Sequence, residues 1–245
     1  MSETLFISDL HLSGERPDTV QLFIDFMQQR APRADRLYIL GDLFDVWIGD
    51  DLEQPPIPQI KAALRQLTDS GTRVWLMHGN RDFLIGPAFC AQTGVELLQD
   101  PTRVTLQGIP TLLMHGDLLC SDDQAYLAFR QQIRDPDVIR QFLSLPISER
   151  IRTAAEYRAR SGEATSLKAA DIMDVNQQTV QHYMHRQGAR RLIHGHTHRP
   201  GLHRFALDGQ PARRYVLADW HAQGAELLRV DAQGWELEWF ASASA

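Results

Sequence analysis

The chain has few of the features that mark disulfide-rich, membrane-spanning or repeat proteins. Its two cysteines, Cys90 and Cys120, stand 30 positions apart, which excludes a paired thiolate metal site and fits a reducing, cytoplasmic compartment. No segment approaches the roughly 18 uninterrupted apolar residues that a spanning helix needs, so any membrane contact is expected to be peripheral. The sequence also has no internal repeat and no basic leader that would indicate a signal peptide.

Basic residues are scarcer than acidic ones. The 245 residues include 25 Lys and Arg against 31 Asp and Glu, which gives a formal net charge of −6. This balance argues against a nucleic acid as the main partner. The 43% of hydrophobic residues is a globular composition, and folding buries roughly 70% of the surface of an unfolded chain of this size. We expect one large domain, or one domain with an insertion.

Five short apolar segments follow one pattern, because each reads as a buried strand that ends in Asp, Asn or His. They are residues 4–8, 36–40, 73–77, 111–114 and 190–193. Helical spacing between the early segments, for example at Val20, Phe23 and Met27, predicts helices between strands. Alternating strands and helices predict an α/β fold in which ligands bind beyond the carboxyl ends of the strands.

The pattern changes between residues 121 and 188, where helical spacing follows helical spacing. We predict a helical insertion there, within a core made of residues 1–120 and 189–245. The apolar stripes that indicate its helices are Tyr126, Phe129 and Ile133, and then Ile147, Ile151 and Ala154. After the insertion, residues 215–218, 226–230 and 235–240 alternate and predict the closing strands of a second sheet.

Part of the predicted insertion is locally basic, with five basic residues against two acidic ones between residues 150 and 168. The basic residues are Arg150, Arg152, Arg158, Arg160 and Lys168. A phosphate group or an anionic membrane surface would suit this segment. The alternative is an ordinary solvated face of a surface helix.

The polar residues at the five strand ends are of the types that bind metal ions. The candidate ligands are Asp9, His11, Asp42, Asn80, His115, His196 and His198. Asp9 and His11 stand two positions apart, so on an extended backbone their side chains project to the same side, and His196 and His198 repeat this spacing. Glycines beside the ligands, among them Gly79, allow the backbone to approach closely. Five such ends at one edge of a sheet are enough for two metal ions.

These motifs are Asp-x-His, Gly-Asp, Gly-Asn-Arg-Asp, His-Gly-Asp and Gly-His-x-His, and they resemble the five blocks of the calcineurin-like metallophosphoesterases. They span residues 9–198. The resemblance implies a β-sandwich flanked by helices, with the helical insertion as a cap. It also implies that Asp42 bridges two ions, one held by Asp9, His11 and His198, and the other by Asn80, His115 and His196. Oxygen and nitrogen ligands without sulfur suit Mn²⁺, Fe or Zn²⁺. Paired ions activate water for attack on phosphorus, so the expected reaction is hydrolysis of a phosphoester or phosphoanhydride.

Arg81 stands where many members of that family carry a histidine. An arginine stays protonated in proteins, so it neutralises phosphate charge but delivers no proton to a leaving group. This favours a substrate whose leaving group needs no acid, such as the phosphate monoester released from a pyrophosphate. His194 is the other candidate for a general acid, although we favour a role in packing or in supporting the ligands.

Three segments extend the resemblance to the diphosphatases that cleave UDP-2,3-diacylglucosamine in lipid A synthesis. They are Gly-Asn-Arg-Asp-Phe, the Trp47 to Asp50 stretch and the Ser161 to Lys168 stretch. The resemblance implies release of UMP and 2,3-diacylglucosamine 1-phosphate by water that attacks the phosphorus nearer uridine, with two Mn²⁺ ions per chain. We expect a monomer that binds peripherally to the cytoplasmic face of the inner membrane. The catalytic residues that it implies are Asp42, Asn80 and Arg81, and the substrate contacts are Asn80, Arg81, Asp123, Ser161, Thr165, Lys168 and His196.

Two alternatives stay open from the sequence. The first keeps the metal ions but changes the substrate to a soluble nucleotide or phosphoester. The second is a non-enzymatic scaffold that binds partners through the insertion. The intact set of candidate ligands argues against a scaffold, because binding a partner does not require two metal ions.

Overall fold

The apolar segments form buried strands in the computed structural model, which describes residues 3–166 and 174–242. The strands are β1 (Thr4–Ile7), β2 (Arg36–Leu40), β3 (Arg73–Met77), β4 (Glu96–Leu98), β5 (Thr102–Leu106), β6 (Ile109–Leu113), β7 (Arg191–His194), β8 (Gly201–Leu207), β9 (Gln210–Val216), β10 (Ala225–Asp231) and β11 (Gly234–Phe240). The helices are α1 (Pro17–Gln29), α2 (Ile57–Asp69), α3 (Pro87–Thr93), α4 (Gln124–Ile133), α5 (Pro136–Leu143), α6 (Ile147–Ser166) and α7 (Gln177–Arg186). The predicted α/β sandwich with flanking helices is confirmed.

The first sheet has the strand order β11-β10-β1-β2-β3-β4. Strands β1 to β4 run parallel, as crossovers through helices α1 and α2 require. Leu5, Phe6 and Ile7 of β1 are fully buried, since helices cover one face of this sheet and the second sheet covers the other. The carboxyl ends of β1, β2 and β3 therefore lie side by side at one edge.

The second sheet has the order β5-β6-β7-β9-β8, with β6, β7 and β9 parallel. Of the three strands predicted to close it, only the first lies in this sheet, as part of β9. The prediction is wrong for residues 226–230 and 235–240, because β10 pairs antiparallel with β1 and β11 pairs with β10. Alternation identifies a strand with one buried face, but it does not identify the partner of that strand.

Three apolar layers hold the sheets and helices together. On the outer face of the first sheet, Phe23 of α1 and Leu64 of α2 are fully buried in one cluster with β1 and β2. Between the sheets, the rings of Phe6, Tyr38 and Trp75 stack in sequence at centroid distances of 4.9 and 4.8 Å. A third cluster lies on the outer face of the second sheet, beneath α7. The fold thus has four layers, helices, first sheet, second sheet and helix α7, with one apolar cluster between each neighbouring pair.

Helices α4, α5 and α6 (residues 124–166), which we call the cap, lie beside that edge. An aspartate stabilises the N-terminus of each of the first two helices: Asp123 accepts from the backbone N–H of Tyr126, and Asp135 accepts from that of Asp137. Neither α4 nor α5 contains a buried residue. The last helix of the predicted insertion, α7, instead packs Val180 into the core on the second sheet.

No helix within residues 3–166 and 174–242 has the length and apolar character needed to cross a membrane. Neither cysteine forms a disulfide within the part of the chain that the structure describes, and Cys120 is buried while Cys90 is half-buried.

Candidate metal centre and substrate cleft

The structure brings the seven candidate ligands together at one edge of the sheets. Each follows the carboxyl end of a parallel strand. Asp9 and His11 follow β1, Asp42 follows β2, Asn80 follows β3, His115 follows β6, and His196 and His198 follow β7. The two sheets share this edge, so residues up to 187 positions apart come within hydrogen-bonding distance.

The first group of ligands consists of Asp9, His11 and His198. The Nε2 atom of His198 lies 3.5 Å from Asp9 Oδ1 and 3.3 Å from His11 Nε2. Two imidazole nitrogens and a carboxylate oxygen therefore point at one small volume. These three side chains offer their donor atoms within 4.8 Å of one another.

The second group is arranged around Asn80. Its Oδ1 atom lies 2.9 Å from both His115 Nε2 and His196 Nδ1. Asp42 stands between the groups, with Oδ2 3.8 Å from His115 Nε2 and 4.0 Å from His11 Nε2. One carboxylate oxygen thus faces both groups, which is the position that a bridging ligand requires.

The backbone that presents these ligands is not extended. Asp9, His11, Asp42, His196 and His198 have φ between 49° and 69°, a left-handed conformation that is uncommon outside glycine and concentrates at functional sites. The expectation that an extended backbone directs Asp9 and His11 to one side is therefore wrong. Strand β1 ends at Ile7, before either ligand, and the left-handed turns direct the side chains instead.

Glycines pack directly against the ligand carboxylates. A Cβ at Gly79 would lie 2.0 Å from Asp42 Oδ1, and a Cβ at Gly195 would lie 2.1 Å from Asp9 Oδ2. Both distances are far below van der Waals contact. Only glycine fits at these two positions while the carboxylates stay in place.

Hydrogen bonds from the core fix the carboxylates. Asp9 Oδ2 accepts from Ser8 Oγ at 2.6 Å and from the backbone N–H of His196 at 2.9 Å. Asp42 Oδ1 accepts from the backbone N–H of Arg81 at 2.8 Å. The fully buried Asp82 accepts from the N–H groups of Leu43 and Gly79, each at 2.8 Å. Asp82 therefore ties the loop that follows β2 to the loop that follows β3.

Negative charge is concentrated at this edge. Burial raises the pKa of Asp42 to about 7, and the neighbouring charges of Asp82 and Asp9 add to this rise while His115 opposes it. Burial by itself lowers the pKa of His115, but Asp42, Asp117 and Asp9 outweigh it and raise that pKa to about 9. The carboxylates therefore attract positive charge into a buried volume, as a cation site does.

The donor set fits divalent cations. Asp9 Oδ1 is buried and has no hydrogen-bond partner among the described residues, although such an oxygen is costly to bury alone. Burial lowers the pKa of His11 to about 4, so at neutral pH its imidazole is uncharged and able to bind a metal ion. Mixed carboxylate, amide and imidazole donors suit Mn²⁺, Fe or Zn²⁺.

Arg81 lies in the cleft beside the ligands. Its backbone is fixed, because its N–H donates to Asp42 and its C=O accepts from Trp47. Among the described residues, no hydrogen bond or ion pair to its guanidinium is found. Its charge and donors are thus available to an anion that enters the cleft.

His194 is not placed to act as a general acid. It is fully buried, its Nδ1–H donates to the Gly195 carbonyl at 2.9 Å, and its Nε2 accepts from Arg214 at 3.1 Å. Burial and the adjacent guanidinium lower its pKa to about 3. This neutral ring supports the turn that carries His196 and His198, as we favoured from the sequence.

Five of the seven ligands line a cleft of about 980 Å³ between the core and the cap, namely His11, Asp42, Asn80, His196 and His198. Cap side chains that line it include Tyr126, Phe129 and Ile133, which formed the first predicted apolar stripe. The second stripe behaves differently: Ile147 packs against the core, and Ile151 is exposed. The cleft therefore combines a polar floor with a largely apolar wall.

Two arginines of α4 and its C-terminal end join the cap to the loops that carry ligands. Arg130 Nε donates to the buried carboxylate of Asp117 at 2.6 Å, and the Tyr126 hydroxyl donates to the same oxygen at 2.8 Å. Arg134 Nη2 donates to the Gly79 carbonyl at 2.6 Å. The position of α4 is thereby coupled to two loops of the metal centre.

Two further arginines join α6 to the loop that follows β2. Arg150 is buried, and its Nη1 donates to the Ile48 carbonyl at 2.7 Å and to Asp51 at 2.8 Å. Arg158 pairs with Asp45. Two of the five basic residues of the segment 150–168 thus bind the core, an arrangement that neither of the two interpretations from the sequence included.

The predicted substrate contacts are only partly described. Asn80, Arg81, Asp123 and His196 line the cleft. Ser161 and Thr165 belong to α6, but their side chains, like the whole of Lys168, lie outside the described residues. Their contacts with a substrate stay predictions.

Sequence reasoning missed Asp219, whose Oδ2 lies 3.6 Å from His198 Nδ1 and 3.0 Å from His221 Nε2. Part of the signal was present, because Asp219 follows the apolar run 215–218 as the ligands follow theirs, but only the structure shows that β9 is parallel to β7. It is therefore a further polar residue that follows a strand at the same edge. It also missed the arginines that join the cap to the core, because a sequence does not show which distant carbonyl an arginine reaches.

Comparison with known proteins identifies the family of the chain. The calcineurin-like phosphoesterase family matches residues 3–200. A protein of Pseudomonas paraeruginosa named UDP-2,3-diacylglucosamine hydrolase is 52% identical over 230 residues, which are 94% of this chain and 95% of that protein. Proteins with the same name from Pseudomonas aeruginosa (strain UCBPP-PA14) and Azotobacter vinelandii are 51% and 50% identical, over 94% and 96% of this chain and 95% and 97% of their own lengths. The chain belongs to the calcineurin-like phosphoesterase family.

Proposed function

We propose that the chain hydrolyses the pyrophosphate bond of UDP-2,3-diacylglucosamine to UMP and 2,3-diacylglucosamine 1-phosphate. The observation that carries this proposal is one cleft of about 980 Å³ that is lined both by candidate metal ligands and by a largely apolar wall. A lipid-linked sugar nucleotide needs both surfaces at once. Relatives that are named for this activity and are 50–52% identical over almost the whole chain support the choice of substrate.

Two divalent cations would be held at the floor of the cleft, and we propose Mn²⁺ for both. Asp9, His11, Asp42 and His198 would hold one, and Asp42, Asn80, His115 and His196 the other. Bound cations of this kind lower the pKa of water and stabilise charge on phosphate oxygens. The chain contributes carboxylates that hydrogen bonds already hold in place, so little rearrangement is needed when the ions bind.

Arg81 would bind the diphosphate and stabilise the negative charge that grows on its oxygens during the reaction. We propose that water attacks the phosphorus nearer uridine, so that the sugar 1-phosphate leaves. A phosphate monoester is stable as an anion and needs no proton when it departs. The buried, neutral His194 is consistent with a reaction that uses no dedicated general acid.

The apolar wall of the cleft would bind the acyl chains. Phe129, Ile133, Ile139, Phe142 and Leu145 line it. Each methylene transferred from water to such a surface contributes about 0.8 kcal/mol. This wall disfavours the alternative of a small, soluble nucleotide or phosphoester, which would leave it exposed to water.

We also propose that the chain acts as a monomer on the cytoplasmic face of the inner membrane, which it contacts peripherally. Five apolar side chains on the cap and beside the cleft support this contact, since each is 39–43% exposed. They are Val46, Val138, Leu143, Ile151 and Tyr157. Replacing Ile151 and Tyr157 by serine should weaken cosedimentation with anionic phospholipid vesicles. Trp239 on β11 is also exposed but does not line the cleft, so it offers a control. Trp239→Ser should leave cosedimentation unchanged.

The direct test is UMP release from the diacylated substrate by the purified chain with Mn²⁺. Arg81→Ala should bind Mn²⁺ normally and lose about 100-fold or more in turnover, as losses of transition-state donors do. The matched control is Arg204→Ala, an exposed arginine on β8, and it should behave as the parent. Absence of UMP release by the parent would refute the proposal.

A second experiment separates the lipid substrate from a soluble one. Removing both acyl chains from the substrate should sharply reduce kcat/KM if the apolar wall binds them. Equal rates on the deacylated compound or on simple phosphoesters would favour the soluble alternative.

A further inference from the structure

We propose that Asp219 is a positioning residue that orients His198 toward a metal ion. The imidazole of His198 lies between two carboxylates. Its Nε2 faces Asp9 Oδ1 at 3.5 Å, and its Nδ1 faces Asp219 Oδ2 at 3.6 Å. A carboxylate behind a ligating histidine holds the proton on the far nitrogen, which leaves the near nitrogen free to bind the ion.

His198 needs such support more than the other ligands do. Its side chain is 41% exposed, whereas that of His11 is 14% exposed and that of His115 is fully buried. In His115, the Nδ1–H donates to the Leu40 carbonyl at 2.9 Å, so the backbone fixes that ring. His198 has neither close packing nor a backbone acceptor in the described structure, and Asp219 occupies the corresponding position behind its ring.

Asp219 is itself firmly held. The next residue, Trp220, is fully buried between Phe23 and Phe26, at ring centroid distances of 6.4 and 5.3 Å. Its backbone N–H donates to the carbonyl of Asp9 at 3.2 Å, and its carbonyl accepts from Arg16. The segment that carries Asp219 is thus bonded directly to the segment that carries a ligand.

On its outer side, Asp219 Oδ2 lies 3.0 Å from Nε2 of the exposed His221. The carboxylate is therefore bracketed by two histidines, one on the solvent side and one in the metal centre. This arrangement limits how far the Asp219 side chain moves away from His198. The structure assigns to Asp219 the support of one ion, the one held by Asp9, His11, Asp42 and His198.

This inference rests on the proposed dimetal centre, and a titration tests it. The chelator-treated chain is titrated with Mn²⁺ alone, and bound ions are followed by calorimetry and by electron paramagnetic resonance. Asp219→Asn keeps the shape of the side chain and removes its charge, so one of the two ions should bind 10–100-fold more weakly. The other ion should bind as in the parent. Asp219→Glu restores a carboxylate and should recover part of the loss.

The chain offers a matched control in Asp208, whose Oδ2 lies 2.9 Å from Nδ1 of the exposed His185, remote from the cleft. Asp208→Asn should leave both ions unaffected. Equal Mn²⁺ binding by the parent and Asp219→Asn, or an equal loss in Asp208→Asn, would overturn the inference and leave the proposed function standing. A parent that binds no Mn²⁺ would overturn both. Thermal unfolding of each apo variant verifies that a lost ion does not reflect a lost fold.

Discussion

The metal centre and the cap are built by different physical means. In the centre, buried carboxylates are bonded to backbone N–H groups and packed against glycines, and five of the seven ligands have left-handed backbone. In the cap, α4 and α5 have no buried residue, and long arginine side chains make the connections to the core. The centre therefore moves only if the core moves, whereas the cap is attached through these polar contacts and three partly buried apolar side chains, Phe142, Ile147 and Ala154.

This difference suits a reaction on a lipid. Regions with few buried apolar contacts open at lower free energy than the core of the same domain. The cap is then able to yield to long acyl chains while the ligand atoms stay in place. We expect changes in the centre to affect metal binding and turnover, and changes in the cap contacts to affect substrate binding.

The largest expected effect comes from Asp42, whose Oδ2 faces both groups of ligands. Asp42→Ala should lose both ions and reduce turnover by at least about 1000-fold, more than the loss of a supporting contact produces. Metal analysis of the purified variant, with UMP release, provides the measurement. A variant that retained one ion at full affinity would show that the two groups are independent. Asp208→Ala serves as the control for removal of an aspartate.

Gly79→Ala tests whether the centre is as rigid as its packing indicates. The new Cβ would lie 2.0 Å from Asp42 Oδ1 and 2.3 Å from the Asp42 backbone nitrogen, so the two loops must separate. We expect about 1–3 kcal/mol of lost stability, the usual cost of overpacking, together with weaker Mn²⁺ binding. Urea unfolding and metal titration measure the two effects.

Gly14→Ala is the control for Gly79→Ala, because its Cβ would meet only the Pro55 carbonyl, at 3.7 Å. It should change stability by less than about 0.5 kcal/mol. If Gly79→Ala changed stability and Mn²⁺ binding as little as this control, the metal centre would be more flexible than its close packing indicates.

Arg150→Ala tests the attachment of the cap. The variant leaves the Ile48 carbonyl and Asp51 without their donor, so α6 should open more readily while the sheets stay intact. We expect about 10-fold faster amide exchange in α6, equivalent to about 1.4 kcal/mol, and a raised KM for the acylated substrate with little change in kcat. Hydrogen exchange and steady-state kinetics measure these effects.

Arg152 lies two positions after Arg150 in α6 and is exposed, so it gives the matched control. Arg152→Ala should change neither amide exchange in α6 nor KM. Loss of metal ions in Arg150→Ala would contradict the separation between cap and centre.

The metal centre and the cap also differ in how far a sequence predicts them. The seven candidate ligands were identifiable because metal chemistry restricts residue types, and parallel strands bring their carboxyl ends to one edge. The left-handed backbone of Asp9 and His11 could not be predicted, since spacing along a chain does not specify φ. Asp219 was missed because its strand, β9, was identified only by alternation, which gave no indication of its parallel neighbour β7.

The cap contacts were beyond sequence reasoning for a different reason. Arg150 and Asp51 are 99 positions apart, and a count of charges in residues 150–168 does not reveal which of them are paired. The partner of β10 was mispredicted for a related reason, since β10 pairs with β1 from the opposite end of the chain. Long-range pairing depends on topology, and local patterns carry little information about it.

The smallest expected effect concerns Arg30, an arginine of the core that is held much as Arg150 is. Its Nε donates to Glu238 at 2.6 Å and its Nη1 to Glu3 at 2.7 Å. The hydrogen bond from Arg30 lowers the pKa of Glu238 below its usual 4.5, against the opposing effect of burial. Glu238→Gln should therefore cost about 1 kcal/mol of global stability at neutral pH.

Because the pKa of Glu238 is lowered in the folded chain, its contribution is complete above the unfolded value of 4.5 and disappears as the pH falls through the folded value. Urea unfolding of parent and variant should thus differ at pH 7 and converge below pH 4.5. Glu236→Gln, at a more exposed carboxylate of the same strand, should have a smaller effect. Amide exchange in the cap and KM should be unchanged in Glu238→Gln, since β11 lies in the first sheet and does not contribute to the cleft. A pH-independent difference would show that the charge of Glu238 is not the source of its contribution. An altered KM would show that this contact in the core and the contacts of the cap do not act on separate cooperative units.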